Sequence, residues 1–185
     1  MTKTEMKEMM KNAIEPRRLC RVYMKYDAHY WYYFPLLVSN KLFLGAEEDD
    51  FILDGYSIRM FRDVKKVEIK DDKCSEILRA EGVPDGLVVP EVDVSDWYHV
   101  FLSLQCLGKN VIVEEETVDG VDSQFAIGKI VKVLKQKVLL REFDADGIWQ
   151  EGLLEIPYTR MTSVTFGSRY VEVFSKYLEE APSEE

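Results

Sequence analysis

The chain has 185 residues, enough for one mid-sized domain or two small ones. Hydrophobic residues make up 46% and aromatic residues 12%, so wholesale disorder is excluded and a packed core is expected. The net charge is −10, with 15 basic against 17 acidic side chains in residues 1–92 and 9 against 17 in residues 93–185, so the second half lacks the basic surface a phosphate backbone needs.

The first segment, TKTEMKEMMKNAIEP, has Met6, Met9, Met10 and Ala13 at helical spacing. Thr2 with Glu5 forms a capping-box pattern, and Pro16 marks the stop. The segment lacks the apolar core of a signal peptide, and no apolar run is long enough to cross a bilayer, so a soluble cytoplasmic protein is expected. RLCRVYMKY reads as a strand. After it comes YDAHYWYYFPLLV, with five consecutive aromatics, Tyr30 to Phe34. Strand alternation puts Tyr30, Tyr32 and Phe34 on one side and Trp31 and Tyr33 on the other.

Residues 49–69 and 146–166 match at an offset of 97 without gaps, pairing Gly55 with Gly152, Phe61 with Tyr158, Val64 with Met161, Val67 with Val164 and Ile69 with Phe166. This predicts an internal repeat. Hairpin turns are predicted near Asp54-Gly55, Glu151-Gly152 and Lys135-Gln136. VSDWYHVFLSLQCLG supplies a second leading helix, with Ser95 as N-cap and Gly108 as C-terminal cap. Each half closes on a short amphipathic segment, marked by Cys74, Ile77 and Leu78 in the first and by Tyr170, Val173, Phe174, Tyr177 and Leu178 in the second.

Each half thus reads as a helix, about five short strands and a helix. Strands this short bury a core by curling into a small barrel. The predicted organisation is a first barrel over residues 1–78, a linker over 79–93, a second barrel over 94–178 and a flexible acidic tail over 179–185. Aligning Phe34 with Phe125 leaves Tyr30, Trp31, Tyr32 and Tyr33 surplus to one barrel's core. They are a candidate interaction surface, between the barrels or toward a partner.

The second half carries a motif pattern of Gly108, Val111 and Val113, then Phe125, Gly128 and Ile130, then Val138 and Leu140, followed by Met161 and Val164. In this pattern the chain resembles the Sm/LSm-like (SH3-like) small β-barrels, and its tandem arrangement is similar to bacterial proteins built from such barrels. The resemblance implies a mainly β fold of bent antiparallel strands with flanking helices. Sm-type RNA binders hold bases with a basic residue-glycine pair in the second motif. The corresponding stretches here read Pro157-Tyr158-Thr159-Arg160 and Met60-Phe61-Arg62-Asp63, so that pair does not carry over.

Catalytic and metal patterns are weak. Glu142, Asp144, Asp146 and Gly147 imitate the start of a calcium loop, but Leu153 stands where the bidentate glutamate belongs. His29 and His99 have no ligand partner at metal spacing, and Cys20, Cys74 and Cys106 read as buried free thiols. No nucleophile elbow or phosphate-binding loop is present, and no cofactor is expected. The expectation is a non-catalytic binding or scaffolding protein whose partner is a protein or a second copy. The alternative is single-stranded nucleic-acid binding, using a candidate basic patch of Arg17, Arg18, Arg21, Arg59, Arg62, Lys65 and Lys66. An enzyme is the third option, with no named site.

Overall fold

The computed structural model describes residues 1–182 apart from Asp119. Helix α1 (Lys3–Ile14) precedes strands β1 (Cys20–Met24), β2 (Tyr30–Val38), β3 (Leu42–Asp49), β4 (Ile52–Met60) and β5 (Val64–Ile69), and α2 (Lys73–Ala80) follows. Helix α3 (Trp97–Leu107) then leads into β6 (Asn110–Glu115), β7 (Gln124–Val133), β8 (Lys137–Glu142), β9 (Leu154–Pro157) and β10 (Ser163–Phe166), with α4 (Arg169–Ser175) last. The protein is mainly β.

The ten strands form one antiparallel sheet in the order β5-β1-β2-β3-β4-β10-β6-β7-β8-β9. The order within the first five, β5-β1-β2-β3-β4, recurs in the second five as β10-β6-β7-β8-β9. The halves meet where β4 pairs with β10, through Arg59 opposite Ser163 and Tyr56 opposite Phe166.

The helix ends follow local chemistry. Thr2 and Glu5 make the expected capping box on α1, and Arg17 closes the helix in the left-handed region (φ 49°). Gly108 ends α3, also left-handed. The N-cap of α3 is Asp96 rather than Ser95, because its carboxylate accepts the His99 backbone N–H at 3.0 Å.

Two hairpin turns lie elsewhere than the Asp-Gly and Glu-Gly pairs suggest. Asp49 pairs with Ile52, so the β3–β4 turn is Asp50-Phe51, both with positive φ. Gly55 sits inside β4, also with positive φ, and a Cβ there would stand 2.4 Å from the Ser168 nitrogen. Its conformation serves the close approach of the two halves. In the second half the chain turns at Asp144–Gly147, where the Gly147 N–H donates to the Asp144 carbonyl. The Lys135-Gln136 turn stands as expected, with the Leu134 N–H donating to the Lys137 carbonyl.

The interior has three layers. Under α1, Met6, Met10 and Ala13 pack on Cys20, Val22, Tyr33, Phe43, Val64 and Val67. The largest cluster joins the opposite face of β2–β4 (Phe34, Leu36, Leu44, Ile58) to α3 and the strands of the second half. A third, small cluster sets Val171 of α4 on Ile127 and Phe143. Val92, inside the predicted linker, and Val94, just after it, are buried in the largest cluster. Glu179, in the predicted tail, accepts the Trp149 indole N–H on its carbonyl, and residues 183–185 of that tail lie outside the described residues. Cys20 is buried and its thiol is pushed up to about 12 by desolvation, but Cys106 is exposed, against the expectation of three buried thiols.

Candidate functional site

The junction between the halves holds a buried polar cluster. Along one row of the sheet, Phe43 faces Arg59, Arg59 faces Ser163 and Ser163 faces Glu114. Serine is small, so the Arg59 guanidinium reaches across it. Its Nε donates to the Tyr33 hydroxyl at 3.1 Å, and its Nη1 donates to both Glu116 carboxylate oxygens at 3.2 and 3.0 Å. Ser163 donates to Glu114 Oε2 at 2.5 Å. The Arg59 side chain is 3% exposed. Burial works against its charge, but Tyr33, Glu116 and Glu114 around it hold its pKa above the ordinary value. Burial pushes the nearby Glu47 carboxyl up to about 7, with Arg59 opposing that rise. An arginine held by two carboxylates keeps its charge near neutrality, so Arg59 acts as an ionic clamp across the junction.

The aromatic run divides as alternation requires. Tyr30 and Tyr32 meet edge to face at 5.2 Å, and Tyr23 joins Tyr30 at 5.6 Å. Arg21 lies 4.2 Å from the Tyr30 ring centroid and donates to the Tyr32 hydroxyl at 2.9 Å. On the other side Trp31 is 41% exposed, donates to Asp27 at 2.7 Å and lies 5.5 Å from the Arg59 guanidinium carbon. Tyr33 is fully buried under α1, against the reading that all four aromatics are surplus to the core. It fits because Gly45 lies beneath it: a Cβ on Gly45 would stand 2.9 Å from that of Tyr33.

The seven basic residues are spread and mostly engaged. Arg59 is buried in the clamp. Arg17 donates to the Pro84 carbonyl, Arg18 pairs with Asp71, Arg21 and Lys66 with Glu68, and Arg62 with Asp63. Lys65 is exposed on β5.

Sequence reasoning missed a cleft of about 340 Å³ at the turn ends of both halves. The β2–β3 turn brings Lys41, the end of β4 brings Met60 and the following turn Arg62, the start of α3 brings Trp97 and Tyr98, and the second half brings Lys135, Tyr158 and Thr159. Tyr158 stacks on Phe101 at 5.8 Å and donates to the Leu134 carbonyl at 2.7 Å. The one acid on the wall, Asp96, is occupied by the cap of α3 and by His99 Nδ1 at 2.9 Å. The available signal was positional: Lys41 and Lys135 both fall in β-turns between paired strands.

Among the described residues no group of three or more His, Cys, Asp or Glu is placed to hold a metal, and no helix is long and apolar enough to cross a membrane. Compared with known proteins, the chain matches no family model, no curated protein and no solved structure.

Proposed function

We propose that the chain is a non-catalytic binding protein made of two Sm-like small barrels fused edge to edge. The ladders support a duplication. Val22 faces Val67 in one half, and Val113 faces Val164 in the other. From that anchor, β2 and β7 correspond at an offset of 95. Trp31 and Ala126 sit opposite those valines, Tyr33 and Gly128 two residues on, and both strands bulge at the same place, between Pro35 and Leu37 and between Ile130 and Lys132. Tyr30, rather than Phe34, then occupies the place of Phe125. Tyr33 over Gly45 in one half corresponds to Gly128 with Leu140 in the other, an exchange of large and small at equivalent positions.

The observation that carries the binding role is the cleft, where corresponding turns of both halves converge on an aromatic wall. Native mass spectrometry of the chain, purified gently from its own cells, should find a stoichiometric partner or ligand. Hydrogen exchange should slow at Lys41, Arg62, Lys135 and Tyr158 when that partner is bound. A chain that is bare under every condition would sink this reading.

Single-stranded nucleic acid is the second reading. One observation favours it: Met60, Arg62, Tyr158 and Thr159, from the stretches that match the second Sm motif, line this cleft. Binding by stacking should quench Tyr and Trp fluorescence and weaken steeply with salt. Absence of quenching by mixed RNA oligomers at low salt would end it.

A further inference from the structure

We infer that the cleft between the halves takes a small organic anion with a flat aromatic body, such as an aromatic carboxylate or an aromatic phosphate monoester. This rests on the binding reading above and adds the ligand class. Two observations carry it. First, Lys41 and Lys135 are exposed at the cleft, and neither ammonium has an ion pair among the described residues. In a chain of net charge −10, two unpaired lysines from different halves at one opening are conspicuous. The third cation, Arg62, is 3.6 Å from Asp63 and half exposed, free to share its charge.

Second, the lining is largely aromatic and apolar. Trp97, Tyr98 and Tyr158 line the space together with Leu42 and Met60. Such a surface holds a flat ring by stacking and leaves the charge to the rim. The Trp97 side chain lines the cleft and is 5% exposed, and its indole N–H has no acceptor among the described residues, so it gives a signal next to the site.

The field favours a small ligand over a polymer. Three rim cations in a chain of net charge −10 give a long phosphate backbone little to follow. A single anionic group needs only the local cations, within about one Debye length, ~8 Å at physiological ionic strength.

The test uses the full chain labelled with nitrogen-15, whose three tryptophans (Trp31, Trp97 and Trp149) give separate indole N–H signals. Trp97→Phe assigns the cleft signal. The probes are 1-naphthoate, adenosine 5′-monophosphate, inorganic phosphate, acetate and a mixed-sequence RNA 12-mer. The expected result is a saturable shift of the Trp97 signal with naphthoate or the nucleotide, at a Kd of about 1 mM or tighter. Inorganic phosphate and acetate should do little. The two aromatic arms tell a carboxylate ligand from a phosphate one. Lys41→Ala with Lys135→Ala should weaken binding by about tenfold or more, since both rim charges are lost. The exposed pair Lys129→Ala with Lys132→Ala should not.

No movement of the Trp97 signal, or movement unchanged in the Lys41/Lys135 double variant, overturns the inference alone. Binding of the RNA with no response to the monomers overturns it in favour of nucleic acid. Chemical conversion of a probe, visible in one-dimensional proton spectra of the same samples, overturns the non-catalytic reading itself.

Discussion

Arg59 sits two strands from the glutamates it binds, so its loss is felt in both halves. Arg59→Met removes the cation and leaves Glu116 and the Tyr33 hydroxyl without their partner in a buried row. Breaking a buried pair from one side costs about 3–5 kcal/mol, and urea unfolding should show a loss of that size. A loss below about 1 kcal/mol would mean the carboxylates find water. Glu47 gives the second residue-scale test. Its folded pKa, about 7, lies above its unfolded value, so the folded state keeps the proton longer. Below pH ~4.5 both states are protonated and nothing is lost. Between there and pH 7 the unfolded state gives up its proton first, and stability falls as pH rises. Glu47→Gln should therefore stabilise at pH 8, by an amount on the order of 3 kcal/mol at most, and change little at pH 4.5. Equal effects at both pH values would remove Glu47 from the pH response. The clamp was not legible in the sequence, because Arg59 and Arg62 look alike as charges three residues apart. Burial separated them: β4 packs on both faces around Arg59, while Arg62 lies just beyond the strand.

At the scale of elements, the seam between β4 and β10 depends on glycine at one point. Gly55 has φ +78°, and a Cβ there would stand 2.4 Å from the Ser168 nitrogen and 2.6 Å from the Gly167 carbonyl carbon. Next to it, Asp54 accepts the Arg169 N–H at 2.5 Å and so helps cap α4 across the seam. Gly152 matches Gly55 in the sequence, but nothing lies within 4 Å of its Cβ position. Gly55→Ala should lose at least about 2 kcal/mol in chemical denaturation, while Gly152→Ala should stay within about 0.5 kcal/mol. Similar losses at both would show that the seam does not use Gly55's freedom. This contrast explains the misplaced turn. Asp-Gly is a strong hairpin signal, but the ladder places Asp49 opposite Ile52 and spends the glycine on close approach instead. The helices and most strands were legible, because their caps and apolar spacing are local. The seam was not, because a contact 115 residues apart, such as Asp54 with Arg169, leaves no local pattern.

For the whole molecule, two similar halves do not imply two independent units. Phe34, Leu36, Leu44, Ala46 and Ile58 of the first half turn their buried faces away from α1 and into the cluster that also holds α3 and the second half's strands. Val92 is buried in that cluster, so the predicted linker is partly core. A fragment of residues 1–78 would keep the layer under α1 but open this second face to water. Burying a side chain such as Phe34 or Leu44 is worth roughly 1.5–3 kcal/mol, and the losses at Phe34, Leu36, Leu44 and Ile58 together rival what a domain of this size holds in reserve. The fragment should therefore show little cooperative unfolding and bind hydrophobic dyes. The full chain should unfold in one transition, with far- and near-ultraviolet circular dichroism coinciding along a urea titration. Two separated transitions, or a fragment 1–78 with its own sharp midpoint, would show instead that each half holds its core alone. The arrangement also bears on binding. A cleft formed by turns of both halves keeps its shape only while the halves stay joined, so Gly55→Ala, which loosens the seam, should weaken ligand binding there without touching a lining residue.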